Sequence, residues 1–458
     1  MAQSVSTAPA TTDAALSRHP IGLAILFLTE MWERFGFYTM LATFTLYVMD
    51  TKQDGLGWQD ASGIYSWYMM FVYASPLIGG LLADRKLGYR LSIILGAIFF
   101  IAGYGLLTVR SEPILYLALT LLVIGNGFFK PNISTLVGNL YPPGSPLRDS
   151  AYNIFYMGIN VGAFLAPLVA EVLRARYGFR AAFGASAVGM SLGLVFFLLF
   201  QRYIVAADHA RDEPEVDPLA PPRSKSALDL VPNWKRVGAL LVIFTIVIVF
   251  WMSFHQNGLT MVEWADKSTD WKSSQVTSIL IKIFTLGLVD GSNVSGVISN
   301  AINPFWIIVL SLPLVRFWGW MNSKGLEPST PAKMAIGMML TCVAFLILAA
   351  AGKAGGDEGL VSPWWLIASY AVISLAELML SPMGLSLVSK VAPPHMKGLM
   401  MGGWFVATAI GNKLTMIGSL YNKWPHSSFW LLLAILSFIM GLVLFILLKP
   451  LKRAMPGV

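Results

Sequence analysis

Charge is scarce in this 458-residue sequence: Asp, Glu, Lys and Arg make up 12%, where a soluble protein carries about 25%. There is one cysteine, Cys342, in the middle of an apolar run, so no intrachain disulfide can form and redox chemistry is not expected. The histidines and that cysteine do not cluster, which leaves no candidate metal site, and nothing calls for a cofactor. No nucleophile and base stand at a spacing that suggests an intramembrane enzyme. No stretch between the apolar runs is long enough to fold the soluble domain a receptor would have. The weak alternation of a membrane β-barrel is also missing.

What fills the sequence is hydrocarbon: 56% of residues are hydrophobic and the mean hydropathy is +0.66. Apolar segments of about 20 residues recur, each long enough for a bilayer core about 30 Å thick. They fall near 21–49, 61–83, 91–109, 113–137, 151–173 and 181–204. After an interruption they resume near 236–262, 301–320, 333–352, 362–390, 396–420 and 428–449. The pattern predicts an all-α polytopic membrane protein with twelve transmembrane helices in two six-helix bundles, 18–204 and 235–450. The interruption, 205–234, is a linker rich in charge and proline, with Asp212, Glu213, Pro214, Pro218, Pro221 and Pro222. Residues 1–17 read as a disordered tail with no basic start to a cleaved signal, and 451–458 as a short C-terminal tail. Between the seventh and eighth spans the apolar piece Ile279–Leu288 is too short to cross and is expected to form an interfacial or loop helix.

The formal charge of +8 does not indicate nucleic acid, because its placement follows the membrane. With both termini cytoplasmic, Lys and Arg are in clear excess on the cytoplasmic side, which sets the orientation by the positive-inside rule. Arg174, Arg176 and Arg180 are a local exception on an outer loop. Location in the inner or plasma membrane follows, and a monomer in the lipid bilayer is expected.

Inside the spans, few ionisable groups resist a bland explanation. In the first span Glu30, Glu33, Arg34, Phe37, Tyr38 and Leu41 share one face at 100° per residue. Each charge at the bilayer centre costs roughly 2.5–3.5 kcal/mol, so this face should look into a polar cavity. An ion pair that merely pins two helices is the competing reading. Lys130, beside the helix-bending Pro131, and Glu377, with Ser374 and Ser381 on its face, pose the same problem. Asn153, Tyr156 and Asn160 form a polar stripe in the fifth span. Trp251, His255 and Gln256 mark the seventh, Asn303-Pro304 the eighth, and Trp404, Asn412 and Lys413 the eleventh. Taken singly, such Asn and Ser residues are more often glue between helices, worth about 0.6 kcal/mol.

The loop Gly80-Leu-Leu-Ala-Asp84-Arg85-Lys86-Leu-Gly88-Tyr-Arg90 resembles the loop between the second and third spans of the major facilitator superfamily. Glu30-Met-Trp-Glu33-Arg34-Phe35-Gly36-Phe37-Tyr38 resembles the first-span motif of its peptide branch, the proton-coupled oligopeptide transporters. GNGFFKPN at 125–132, FYMGINVGAF at 155–164, INP at 302–304, LAELMLSPMGLSLVSKVAP at 375–393 and MGGWFVATAIGN at 401–412 extend the likeness to the eleventh span. The resemblance implies proton-driven symport of di- and tripeptides by alternating access of the two bundles, with the proton as coupling ion. By carry-over, Arg34 and Lys130 would hold the peptide carboxylate and Glu377 its ammonium. Tyr38, Tyr73, Asn160, Asn303 and Trp404 would line the site, and Gln256 in the seventh span and Ser381 on the face of Glu377 are further candidates for substrate contact. Glu30 and Glu33 would be the proton-responsive acids beside Arg34. A proton-coupled carrier of nitrate or another small anion on the same fold is the alternative, and retention of both Lys130 and Glu377 argues for a zwitterion instead.

Three positions depart from the family pattern, the first being Phe37, which stands where the family has the first of two tyrosines and so lacks a hydroxyl. Leu41 stands where many bacterial members have an arginine, and His255 where they have an acid, so their outer-gate salt bridge is not expected here. His255 is a candidate to titrate in its place, because histidine changes charge near neutral pH. The coupling role of the first-span acids has a direct check. Glu33→Gln is expected to abolish uphill peptide accumulation, and accumulation with an unchanged pH profile would refute that role.

Overall fold

The computed structural model describes residues 18–142, 145, 147–208, 227–357, 359–393 and 396–456. The expected tail 1–17 and most of the expected linker, 209–226, lie outside them. The N-terminal bundle contains α1 (Ile21–Met49), α2 (Ser62–Leu82), α3 (Tyr89–Leu107), α4 (Glu112–Asn139), α5 (Leu147–Tyr177) and α6 (Phe179–Phe200). The C-terminal half contains α7 (Asn233–Phe254), α8 (Thr260–Lys267), α9 (Gln275–Phe284), α10 (Ile302–Ser323), α11 (Thr330–Ala354), α12 (Pro363–Val391), α13 (Lys397–Leu414) and α14 (His426–Ala454). Among the described residues there is no β-strand. Among the described residues ten helical segments are both long and apolar enough to cross a membrane. The expected spans at α1 and α13 are not among the ten, α1 because Glu30, Glu33 and Arg34 dilute its hydropathy. With these two the fold has its twelve spans.

Some boundaries differ from expectation. The seventh span does not end near 262. It runs as Asn233–Lys267, interrupted by a 3₁₀ turn at His255–Gly258, with α8 continuing beyond. The interfacial piece is a true helix, α9, and α14 continues to Ala454, past the expected end of the span.

Each bundle has its own hydrophobic core. In the N-terminal one Phe44, Tyr65, Phe100, Tyr104, Phe129 and Phe183 are fully buried. In the C-terminal one Ile243, Phe345, Tyr370, Phe429 and Trp430 play that part. Small residues set the closest approaches: a Cβ on Gly79 of α2 would come within 1.9 Å of the Gly127 carbonyl of α4. With separate cores, the bundles can move as units against each other.

Three aspartates stitch loops to helix starts, where backbone N–H groups lack intrahelical partners. Asp208 accepts from Tyr89 and Arg90 N–H at 3.0 and 3.1 Å, at the start of α3. Asp54 accepts from Phe179 and Arg180 N–H at 3.0 Å each, beside Gly178, whose φ of +86° suits glycine. Asp357 accepts from the Ser427 N–H at 2.6 Å and its hydroxyl at 3.0 Å, at the start of α14. Burial would raise the Asp357 carboxyl, but these hydrogen bonds, with Lys353 and His426 nearby, hold it below its ordinary value. A carboxyl lowered by folding contributes stability above its unfolded pKa, about 3.9, and loses it as pH falls through the folded value. Asp357→Asn is therefore expected to lower the melting temperature in detergent at pH 7. The gap to wild type should close as the pH drops below about 4.

Candidate functional site

A cavity of about 500 Å³ lies between the bundles, walled by α1, α2, α4 and α5 on one side and by α7, α10, α12 and α13 on the other. Of the residues singled out in sequence, Glu30, Arg34, Tyr38, Tyr73, Lys130 and Asn160 line the first wall. His255, Asn303, Glu377, Ser381 and Trp404 line the second. Residues from eight helices thus converge on one space, with cations on the N-terminal wall and Glu377 on the C-terminal wall.

On α1, the Arg34 Nε pairs with the Glu33 carboxylate and lies 3.3 Å from Glu30 Oε1, while the guanidinium rests 5.0 Å over the Phe37 ring. All three charged side chains are buried. Arg34 Nη2, Glu30 Oε2 and Glu33 Oε1 have no hydrogen-bond partner among the described residues. Arg34 can therefore balance two acids and still present a donor to a ligand. On α4, Pro131 supplies no N–H, and the Ser134 and Thr135 hydroxyls donate back to the Lys130 and Pro131 carbonyls at 3.3 and 3.0 Å. Lys130 Nζ sits 4.8 Å from the Tyr73 ring centre and has no ion pair among the described residues. Across the cavity Asn303 Nδ2 donates to Ser374 Oγ at 2.9 Å and to Glu377 Oε2 at 3.0 Å. That bond fixes one carboxylate oxygen of Glu377 and leaves the other for a ligand.

The two walls meet at the break in α7. The Tyr73 hydroxyl lies 3.3 Å from His255 Nε2, and the His255 ring stacks on Trp251 at 5.1 Å between centres. The Tyr65 hydroxyl donates to the His255 carbonyl at 3.0 Å, and the Thr45 hydroxyl to the Gly258 carbonyl at 2.6 Å. Leu41, in place of a gate arginine, packs on Gly258, where a Cβ would come within 2.8 Å of it. Further out, the buried Glu171 carboxylate accepts from Ser295 N–H at 2.8 Å and Ser295 Oγ at 2.6 Å, and Arg174 donates to the Asn293 carbonyl at 3.1 Å. Lys413 Nζ donates to Ser66 Oγ at 3.2 Å. Among the described residues no hydrogen bond joins the bundles toward the end where α1 begins and α14 ends. The far end is closed.

Two expected site residues are elsewhere. Glu33 is fully buried off the cavity, at the edge of the polar α1 face, held by Arg34 and close to Tyr68 and Tyr104. Gln256 is also fully buried off the cavity. Because the 3₁₀ turn rotates it away, its Nε2 donates to the Thr415 carbonyl at 3.0 Å and its Oε1 accepts from Thr260 Oγ1 at 2.9 Å. Of the fifth-span stripe, Asn160 and Tyr156 line the cavity, whereas Asn153 does not. Phe254, Asn257 and Thr408 line it without having been picked out. Glu171 was overlooked altogether, although an acid inside the apolar run after Pro167 was a visible signal.

Residues 90–210 and 223–431 match the sequence model of the POT family. Dipeptide and tripeptide permease A of Escherichia coli is 31% identical over 422 residues, which cover 86% of this chain and 83% of the permease. A di-/tripeptide transporter of Lactococcus lactis is 30% identical over 500 residues, covering 98% of this chain and 99% of its own. The crystal structure of a peptide transporter POT in complex with sulfate aligns with a TM-score of 0.83 at 29% identity, over 96% of this chain and 97% of that one. A POT family transporter in complex with 5-aminolevulinic acid aligns with a TM-score of 0.83 at 25% identity, over 95% and 98%.

Because Gln256 braces the α7 break and does not reach the cavity, Gln256→Ala should act on stability. Leaving the Thr415 carbonyl unpaired costs about 1–3 kcal/mol. The variant is expected to melt lower in detergent, with the apparent KM of any transported ligand unchanged; a raised KM at wild-type stability would contradict this.

Proposed function

The chain belongs to the POT family, and we propose that it carries di- and tripeptides into the cell by proton symport. The observation that carries this reading is the polarity of the cavity: Arg34 and Lys130 on one wall, Glu377 on the other. A short peptide is a zwitterion whose charged ends are separated by a fixed number of bonds, so opposed walls suit it. Its carboxylate goes to Arg34 Nη2 and Lys130, and its ammonium to Glu377. Tyr38, Tyr73, Asn160, Ser381 and Trp404 surround the backbone between. About 500 Å³ is in the range of small-ligand sites and leaves space for varied side chains. An anion carrier would have no use for Glu377, which argues against that alternative.

The basic excess puts the end with the termini in the cytoplasm, so the closed far end makes this an inward-facing state. Peptide bound here would touch both bundles and draw them together on the open side. Coupling is assigned to the Glu30–Glu33–Arg34 cluster. Protonation of either acid weakens its hold on Arg34, so the guanidinium is freed to bind the peptide carboxylate. The two acids share one cation, and their titration belongs to the cluster. His255, against Tyr73 at the closed end, is the second proton-responsive group in this scheme. A cavity walled entirely by one chain is consistent with a monomer acting in the inner or plasma membrane.

The test is uptake of labelled di-alanine into proteoliposomes under an inward proton gradient. Accumulation that collapses with an uncoupler is expected; downhill flux alone would refute coupling, and no flux of di- or tripeptide would refute the cargo. A charge-assisted hydrogen bond is worth about 1.5–3 kcal/mol. Lys130→Ala and Glu377→Gln should therefore each weaken peptide affinity roughly 10- to 100-fold.

A further inference from the structure

A second cleft, of about 330 Å³, lies away from the transport cavity, between α9, the first turns of α10 and α12, and the side of α5. Turning by 100° per residue, α9 has three faces. Val276, Ile279 and Ile283 make an exposed apolar face, and Gln275, Ser278 and Lys282 a polar one. Thr277, Leu280, Ile281 and Phe284 make the third, which lines the cleft. A helix with one apolar and one polar outer face lies along the boundary between hydrocarbon and water. Its depth is fixed by Ser274, which accepts from the Thr277 N–H at 3.3 Å and from Trp364 Nε1 at 3.2 Å. Trp364 belongs to the first turn of α12 and is 46% exposed, as befits an indole at the membrane surface.

The cleft therefore opens just inside the far surface of the bilayer, on its hydrocarbon side. Leu280 and Phe305 at its mouth are 40% and 38% exposed. Leu168, Ile281, Ile298 and Ile302 line its depth, and the Thr277 hydroxyl is already committed to the Ser274 carbonyl at 2.9 Å. Water would find too few partners there to be held. The inner wall belongs to the other bundle: Phe164 of α5 meets Phe284 edge-on at 5.4 Å and lies 6.3 Å from Phe305. Lys282 is exposed on the polar face of α9, the side turned away from the cleft.

We infer that an acyl chain of a far-leaflet phospholipid occupies this cleft, entering from the hydrocarbon at the mouth between Leu280 and Phe305. Because Phe164 comes from one bundle and Phe284 and Phe305 from the other, the site exists only while the far end is closed. A chain seated there favours that state, since it binds no other.

The full-length protein would be reconstituted in phosphatidylethanolamine and phosphatidylglycerol vesicles. A trace of phosphatidylcholine with a diazirine in one acyl chain would be included, and the sample irradiated. Labels would then be mapped by peptide mass spectrometry. Residues 277–284 and 302–306 are expected to carry at least threefold more label than the lipid-exposed face of α14 around Ile435 and Ile446. Leu280→Trp, which plugs the mouth, should bring them down to the α14 level. Ala301→Leu fills the cleft from its floor and serves as the second variant. Equal labelling of the cleft and α14 in wild type overturns the inference, and so does enrichment that survives in a folded variant. Should neither variant fold, the wild-type comparison still decides.

Discussion

The constraint behind this structure is the cost of charge away from water. A carboxylate and a guanidinium about 4 Å apart attract by roughly 4 kcal/mol at an effective dielectric near 20. That attraction is what allows Glu30, Glu33 and Arg34 to be buried together on α1. The set carries two acids against one base, so it is balanced only with help from Lys130 on the same wall of the cavity or from a proton. A peptide carboxylate adds a further negative charge to that account of forces. In the proposed scheme proton and peptide thereby act on one electrostatic balance, and no conducting path between separate sites is required.

The rest of the fold translates that local balance into motion. Two cores that barely merge let each bundle behave as a body. Their contacts lie along the α2–α13 and α5–α10 flanks and at the break in α7, where hydroxyls of α1 and α2 meet carbonyls freed by the 3₁₀ turn. Neighbouring aromatic rings, Tyr73, Trp251 and His255, connect this junction to the cavity. The gate thus begins within one ring contact of Lys130.

Much of this was legible in the chain because burying charge and spanning hydrocarbon leave strong marks. Apolar runs located the helices, and five misplaced charges located the cavity. The helical period put Glu30, Arg34 and Tyr38 on one face, which the structure turns to the cavity; Glu33 sits at the edge of that face and slips behind it. Gln256 was misjudged for a different reason. It was singled out with Trp251 and His255 as a polar mark in the seventh span, and within the 3₁₀ turn at His255–Gly258 its amide is held against Thr415 and Thr260, away from the cavity. The Asn257-Gly258 dipeptide is a local turn signal, and the turn is stabilised by partners distant in sequence such as Tyr65 and Thr45. The Glu171 clasp was hidden: its partner Ser295 is an unremarkable loop residue until the bundles meet.

The junction at the α7 break has an asymmetry with a consequence for mutation. Its donors are side chains, Thr45 and Tyr65, but its acceptors are the main-chain carbonyls of His255 and Gly258. A point mutation can delete a donor, whereas no replacement at 255 or 258 removes an acceptor. A change of side chain at residue 255 thus leaves the main chain beneath it with its share of the seal.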